Sequence, residues 1–342
     1  MAQMTLRDEN VIGNYQRPYV IAEVNSSHNG DVGTAERMIK AAKDAGCHCV
    51  KVQSWSAQTL YSKTYYKSNP IAQRIVAKFA LSEDKLKECA AYCKDVGIAF
   101  SSTPYSEAEV DALLNMGVPY IKIASMDINN YGFLKYIAET KAPIILSTGM
   151  AEIEEVKKAV EIIKTAGNER LALLHCISIY PAAANTIHLN NIAMLQSEFP
   201  DCPVGFSDHT LGTEIACAAT ALGAAIIEKH LTLDKTKPGM DNNMAIEPDE
   251  MAALVKNCAN VYEAMGSKTR IVSGAEYEQR QKMRRSVIAA GDLKAGTVLS
   301  LTDLSAKRPG DGISVDQLET LVGKTLKHDV EADTLLKPED FV

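Results

Sequence analysis

Between residue 19 and about residue 265, short apolar runs alternate with longer amphipathic stretches. The runs are Tyr19–Val24, Cys47–Gln53, Ile98–Thr103, Tyr120–Ala124, Pro143–Ser147, Leu171–Ile177, Val204–Ser207 and Ala224–Leu231. Most are apolar throughout rather than at alternate positions, the pattern of parallel strands covered on both faces. The intervening stretches read as helices. Val156, Ala159, Val160 and Ile163 fall at i, i+3, i+4 and i+7 and so share one face. Gly46, Gly97, Gly117, Gly167 and Gly223 close many of these stretches, where a helix end favours a left-handed residue. Eight βα units over ~250 residues predict an α/β fold of the (β/α)₈ TIM-barrel type, with a doubly wound sheet as the alternative.

After residue 266 the pattern changes. Residues 267–284 are polar and charged and read as a linker. Residues 285–342 form a small unit with an internal repeat, in which Asp292–Leu304 resembles Asp329–Phe341. Asp292/Asp329, Ala295/Ala332, Thr297/Thr334, Leu299/Leu336 and Asp303/Asp340 match. Two similar halves predict a pseudo-symmetric, β-rich fold. A core this small is marginal by itself, so the unit is expected to dock on another surface. The domain reading is therefore 1–266 barrel, 267–284 linker and 285–342 small domain.

Composition narrows the function classes. The chain has 342 residues, 46% of them hydrophobic, and a net charge of −7. An acidic balance argues against a nucleic-acid partner, so any anionic substrate must be held by a few placed basic residues. No apolar run reaches the ~18 residues a membrane span requires. The N-terminus lacks an apolar signal core, and the eight cysteines lack disulfide-scaffold spacing. A cytoplasmic protein with reduced thiols is the expectation. Cys47 and Cys49, read as sharing one strand face around His48, and Cys89 and Cys93, one helical turn apart, could suggest metal. Small buried thiols are the preferred reading.

In such a barrel, chemistry stands at the C-terminal ends of the strands. Glu23 ends the first run, followed by Asn25 and His28. Lys51 and Gln53 lie on the second, Ser102 and Thr103 on the third, and Lys122 on the fourth, with Ser125 and Asp127 after it. Ser147 ends the fifth run. His175 lies within the sixth, with Ser178 and Tyr180 beyond. Ser207, Asp208 and His209 end the seventh, and Glu228, Lys229 and His230 lie on the eighth. Lys51, Lys122 and Glu228 interrupt apolar strands, where an unpaired charge is costly. A salt bridge inside the barrel is the plain explanation. Two lysines directed at one mouth also repel unless an anion lies between them, and a substrate with phosphate and carboxylate would supply it. His209 and His230 end adjacent strands. With Glu23 available across the closure they form a candidate divalent-metal site, open to Mn²⁺, Fe²⁺, Co²⁺ or Zn²⁺. A metal-free imidazole pair is the alternative. Asp241, after the eighth run, could contact a polyol or cap a turn. Arg308 reads as a solvated loop charge or a residue presented to another surface.

Taken together, Ile21–Val24 with His28–Gly30, Val50–Gln53, Ser102–Pro104, Tyr120–Ser125, Leu146–Met150, Leu174–Cys176 with Tyr180–Pro181, Ser207–Thr210, Glu228–His230, Pro238–Asp241 and Lys307–Gly310 resemble the sialic acid synthase family. That family includes pseudaminate and legionaminate synthases and spore-coat polysaccharide relatives. The resemblance implies a barrel followed by an antifreeze-like (SAF) domain. It also implies condensation of phosphoenolpyruvate with an N-acetylated amino-sugar aldehyde, either N-acetylmannosamine or a diacetamido-trideoxyhexose. By resemblance, His209 and His230 are metal ligands for Mn²⁺, with Mg²⁺ or Co²⁺ as alternatives. Lys51, Thr103, Lys122, Ser125, Ser147 and Tyr180 resemble the phosphoenolpyruvate-binding set. Glu23, Gln53 and Asp241 resemble the groups around the acceptor. Arg308 is similar to a lid arginine that reaches the partner's barrel in a domain-swapped homodimer. Asp127 stands where some members have Glu, Ser178 where some have Asn, and Asp241–Met244 replaces a more usual Asp-His-Lys pattern. All three departures fall on the acceptor side. The competing readings are another phosphoenolpyruvate-condensing 3-deoxy-sugar synthase and a non-catalytic sugar-binding barrel.

Overall fold

Two short strands precede the first apolar run. β1 (Gln3–Thr5) and β2 (Val11–Gly13) pair as an antiparallel hairpin. The apolar runs become β3 (Tyr19–Asn25), β4 (Cys49–Gln53), β5 (Ala99–Thr103), β6 (Ile121–Ile123), β7 (Ile144–Ser147), β8 (Leu171–Cys176), β9 (Val204–Asp208) and β10 (Ile226–His230). These form one eight-stranded sheet in the order β5-β4-β3-β10-β9-β8-β7-β6, and every pairing in it is parallel. Its two ends meet where the Ser101 hydroxyl on β5 donates to the Tyr120 carbonyl just before β6, at 3.3 Å. The result is a (β/α)₈ barrel. The structure is a computed structural model that describes residues 1–237 and 239–342.

The two-residue period of a strand sorts the side chains into two layers. Val20, Ala22 and Val24 of β3 pack outward under the helices, as do Val50 and Val52 of β4. Tyr19, Ile21, Cys49, Tyr120, Ile145, Ala172, Leu174 and Ile226 fill the interior, where Met4, Leu6 and Ile12 of the N-terminal hairpin join them. The hairpin thus closes one end of the barrel. Gly205 leaves room inside, because a Cβ there would lie 2.6 Å from the Ile226 carbonyl oxygen. Cys47 precedes β4 and packs in the outer layer, whereas Cys49 faces the interior. The two thiols therefore do not share a strand face. All eight cysteines are free.

The helices follow the periodicity of the chain. Residues Ile153–Thr165 form a helix opened by a capping box between Glu152 and Glu155, and Val156, Ala159, Val160 and Ile163 are its buried face. Burial of each such side chain stabilises the fold by roughly 1.5–3 kcal/mol before entropy is counted, alanine less. Among the described residues no helix is long and apolar enough to cross a membrane.

The chain divides into two units, Met1–Gly266 and Ser267–Val342. The second has its own core, including Val287, Leu299, Leu321, Leu326 and Leu336. Its strands β11 (Ser286–Ala289) and β12 (Leu304–Lys307) are antiparallel. The sequence repeat becomes a reciprocal set of hydrogen bonds. Asp292 accepts from the Ala332 N–H and Asp329 from the Ala295 N–H, both at 2.8 Å. Leu293 and Val330 exchange N–H···O bonds, also at 2.8 Å. Where a linker was expected, residues Gly274–Met283 form an exposed helix within this second unit.

Candidate functional site

A cavity of about 260 Å³ opens at the C-terminal ends of the barrel strands. The alternation that places Ile21, Cys49 and Tyr120 in the apolar interior carries Glu23, Lys51 and Lys122 inward one step further along the same strands. Register confirms the neighbours: Glu23 stands opposite Lys51 on one side and His230 on the other.

The floor is a four-charge cluster. Lys51 contacts the Glu23 carboxylate, and its Nζ lies 3.8 Å from Glu228 Oε2. Lys122 Nζ lies 3.8 Å from Glu228 Oε1 and donates to Ser147 Oγ at 2.7 Å. Lys51 Nζ also donates to Thr103 Oγ1 at 3.3 Å, and Ser207 Oγ donates to Glu228 Oε1 at 2.9 Å. The anion between the two lysines is thus Glu228 itself. Burial would raise Glu228, but Lys122 and Lys51 outweigh it and hold this carboxyl below its ordinary range. Burial, with Glu228 beside it, pushes Glu23 up to about 7 against the pull of Lys51. Burial also lowers Lys122, with Lys51 adding to the effect, while Lys51 is held up by Glu228 and Glu23 despite its burial. Glu228 Oε2 is buried with no hydrogen-bond donor among the described residues.

The wall carries the imidazoles. His209 and His230 rings are 5.4 Å apart, with Tyr180 4.2 Å from His209 and 6.3 Å from His230. His209 Nδ1 lies 2.7 Å from the Ile177 carbonyl, which can only accept, so the proton sits on Nδ1 and Nε2 keeps its lone pair. Burial lowers the pKa of both rings, and His209 lowers that of His230 further. Two neutral imidazoles with free lone pairs fit a divalent cation. Among the described residues no third His, Cys, Asp or Glu joins them as a ready-made ligand cluster. His209 is held by its chain neighbours, since Asp208 turns outward to Lys229 Nζ at 2.8 Å and accepts from Thr210 N–H at 2.9 Å.

The rim is completed by Gln53, Ser125, Ser178 and Asp241. Burial raises Asp241, whose carboxylate has no ion-pair partner among the described residues. Gly149 must lack a side chain here, because a Cβ would lie 2.4 Å from Ser178 Oγ and 2.9 Å from Ser125 Oγ. Its N–H donates to Ser125 Oγ at 3.0 Å.

Fourteen residues singled out by sequence therefore converge: Glu23, Lys51, Gln53, Thr103, Lys122, Ser125, Ser147, Ser178, Tyr180, Ser207, His209, Glu228, His230 and Asp241. Asp127 does not line the cavity, and its Oδ1 accepts from Asn130 Nδ2 at 3.2 Å. Arg308 lies in the second unit, exposed, just after β12. His175 faces the outer layer, stacked on Phe206, with Nε2 2.6 Å from the Ile187 carbonyl. Tyr105 and Cys176 also line the cavity. Cys176 was discoverable from its inward register; Tyr105 lies past its strand, where periodicity gives no signal. A larger, open groove of about 680 Å³ includes His48, Lys87, Lys94 and Pro119. It gathers no comparable set of buried, mutually paired charges, so the smaller cavity is the candidate site.

Over residues 38–270 the chain matches the NeuB family, and over residues 284–342 the SAF domain. It is 37% identical over 331 residues to the N,N'-diacetyllegionaminic acid synthase of Legionella pneumophila, covering 93% of each chain. It is 32% identical over 337 residues to the N-acetylneuraminate-9-phosphate synthase of Homo sapiens, covering 96% of this chain and 94% of the human one. Among solved structures, the N-acetylneuraminic acid (sialic acid) synthetase of Leptospira borgpetersenii aligns with a TM-score of 0.74 at 32% identity, over 81% of this chain and 94% of that one. The barrel, the charged cavity within the matched segment and the reciprocal repeat beyond it agree with these matches, and the chain belongs to the NeuB family and ends in an SAF domain.

Proposed function

We propose that this protein is a nonulosonate synthase that condenses phosphoenolpyruvate with an N-acetylated amino-sugar aldehyde and water, releasing inorganic phosphate. N-acetylmannosamine and the diacetamido-trideoxyhexoses are the acceptors of choice. The observation that carries the reading is the buried Lys51–Glu228–Lys122 array beside two neutral histidines at one barrel mouth. A phosphate and a carboxylate on one small molecule match two lysines whose hydroxyl neighbours, Thr103 and Ser147, offer further donors.

His209 and His230 would hold a divalent cation, Mn²⁺ first and Mg²⁺ or Co²⁺ as alternatives. When bound, it would polarise the acceptor aldehyde as a Lewis acid. In the reaction the phosphoenolpyruvate methylene carbon forms a bond to the aldehyde carbon. The former aldehyde oxygen takes a proton, water adds at the enol-phosphate carbon and gives its protons to a base, and the carbon–oxygen bond to phosphate breaks as the 2-keto group forms and inorganic phosphate leaves. Lys51 and Lys122 hold the anionic groups through this sequence. A group is needed that can take a proton from the water at neutral pH. Glu23, in the cavity and raised to about 7, suits that role better than Asp127, which lies outside it. Arg308 is read as serving the barrel of a neighbouring copy in a domain-swapped homodimer, and Arg308→Ala should then raise the acceptor KM.

The deciding experiment is phosphate release from phosphoenolpyruvate across a panel of amino sugars, with a chelator arm and Mn²⁺ add-back. Release only with an N-acetylated amino sugar supports the reading. Release only with a phosphorylated aldehyde would move the protein to the 3-deoxy-sugar synthases. Full turnover in chelator would remove the metal from the scheme.

A further inference from the structure

The chain holds a single tryptophan, Trp55, and it is 3% exposed. It follows β4 by two residues, in a segment pinned to β5 by the Ser54 N–H, which donates to the Thr103 carbonyl at 3.0 Å. The Ser54 and Ser102 hydroxyls add a contact of 2.5 Å. The Trp55 indole Nε1 lies 2.6 Å from the Gln53 side chain. An indole N–H can only donate, so the Gln53 atom facing it must be the carbonyl oxygen. That settles the amide orientation chemically. With Oε1 occupied, the Nε2 group is directed away from the indole. Gln53 lines the cavity, and its Nε2 makes no hydrogen bond among the described residues.

We infer that Trp55 is a positioning residue for the acceptor half of the site. Its indole N–H locks Gln53 so that the amide offers the cavity two N–H donors in place of a rotating donor–acceptor pair. In the same cavity Asp241 offers an acceptor without an ion-pair partner among the described residues. The pair therefore selects a neutral ligand with an oxygen acceptor facing Gln53 and a hydroxyl or amide N–H facing Asp241. A cationic amine facing Gln53 would meet two donors and be rejected. This inference takes its substrate half from the proposed condensation, whereas its structural half stands without it.

Two measurements on the full chain test it. In the first, one tryptophan gives one indole N–H resonance, which is followed in Gln53→Met. The signal should shift upfield as its acceptor is lost, and an unmoved resonance overturns the inference. The second is steady-state kinetics of Trp55→Phe with N-acetylmannosamine and a diacetamido-trideoxyhexose. The acceptor KM should rise about tenfold, the size of one lost hydrogen bond, with the phosphoenolpyruvate KM unchanged. The Gln53→Met, Trp55→Phe double variant should be no worse than Gln53→Met alone, because the indole acts only through the amide. Multiplying effects, or a Trp55→Phe loss shared equally by both substrates, would mark Trp55 as packing only. Should Trp55→Phe fail to fold, the resonance in Gln53→Met decides by itself, since that variant keeps the tryptophan. Absence of phosphate release with every acceptor would defeat the proposed reaction while leaving the resonance test intact.

Discussion

At the scale of single residues, the site is a set of charges that are affordable only together. Glu228 lies between Lys51 and Lys122, so the two lysines neither repel freely nor stand unpaired. Lys122→Met should weaken phosphoenolpyruvate use by roughly 10- to 100-fold, the range for one charge-assisted contact. The loss should fall on kcat/KM for phosphoenolpyruvate and leave the acceptor KM in place, a split that initial-rate kinetics with each substrate varied would show. Lys51, Lys122 and Glu228 were visible in the sequence as charges inside apolar runs, with a salt bridge inside the barrel as one explanation, yet which charge pairs with which was not, because that depends on which face of each strand turns inward. His175 shows the same limit, since its place within an apolar run does not say that it faces the outer layer.

A second residue-scale consequence concerns acid. Burial depresses His28 from 6.5 to about 4, and its Nδ1 accepts from the Gly30 N–H at 3.0 Å. The folded chain thus declines a proton that the unfolded chain binds. The contribution of His28 to stability is complete above about pH 6.5 and is lost as pH falls toward 4, by up to about 3 kcal/mol. Denaturant midpoints measured from pH 7.5 to 4 should fall through that window, and His28→Gln should flatten the fall. An equal slope in the variant would assign the loss to other groups, among them His48 and His175, which burial also lowers.

At the scale of elements, strand alternation does the positioning. β9 sends Ser207 inward and Asp208 outward, and His209 follows inward at the strand end. The Asp208–Lys229 pair is fully buried, and Lys229 Nζ also donates to the Thr210 carbonyl at 2.5 Å. Asp208→Asn strips the charge from that pair and should cost roughly 3–5 kcal/mol. The double change Asp208→Leu, Lys229→Met removes both charges and should recover much of the loss. Equilibrium denaturation with equal m-values would check both, and a single variant as stable as the parent would show that the pair holds nothing in place. The eight barrel strands were legible because continuous apolar runs of this length have few other uses. Ends moved by at most two residues, as with Cys47–Gln53, which becomes Cys49–Gln53. The N-terminal hairpin was not legible, since three-residue strands are too short to display a period. Nor was the helix Gly274–Met283, which buries no residue and so carries no apolar stripe.

At the scale of the whole molecule, the two units rest on separate cores of different size. The barrel has one large cluster under the helices and a smaller one inside the sheet, whereas the SAF unit relies on a single cluster about the size of that smaller one. Leu336 is 0% exposed and its repeat mate Leu299 is 2% exposed, so the centre of the small core is shared by the two halves of the repeat. Leu336→Ala removes atoms from that centre and leaves a cavity, at a cost of roughly 2–5 kcal/mol. A core of this size supplies about 3–5 kcal/mol in all, so the substitution should bring the second unit to the edge of unfolding. The barrel, with none of its core atoms changed, should keep its own transition. Calorimetry should then resolve a low-temperature step absent from the parent, and limited proteolysis should cut within residues 267–342 while sparing residues 1–266. If instead one transition moves as a whole, the two units unfold as a single cooperative body, and the small core draws stability from beyond its own residues.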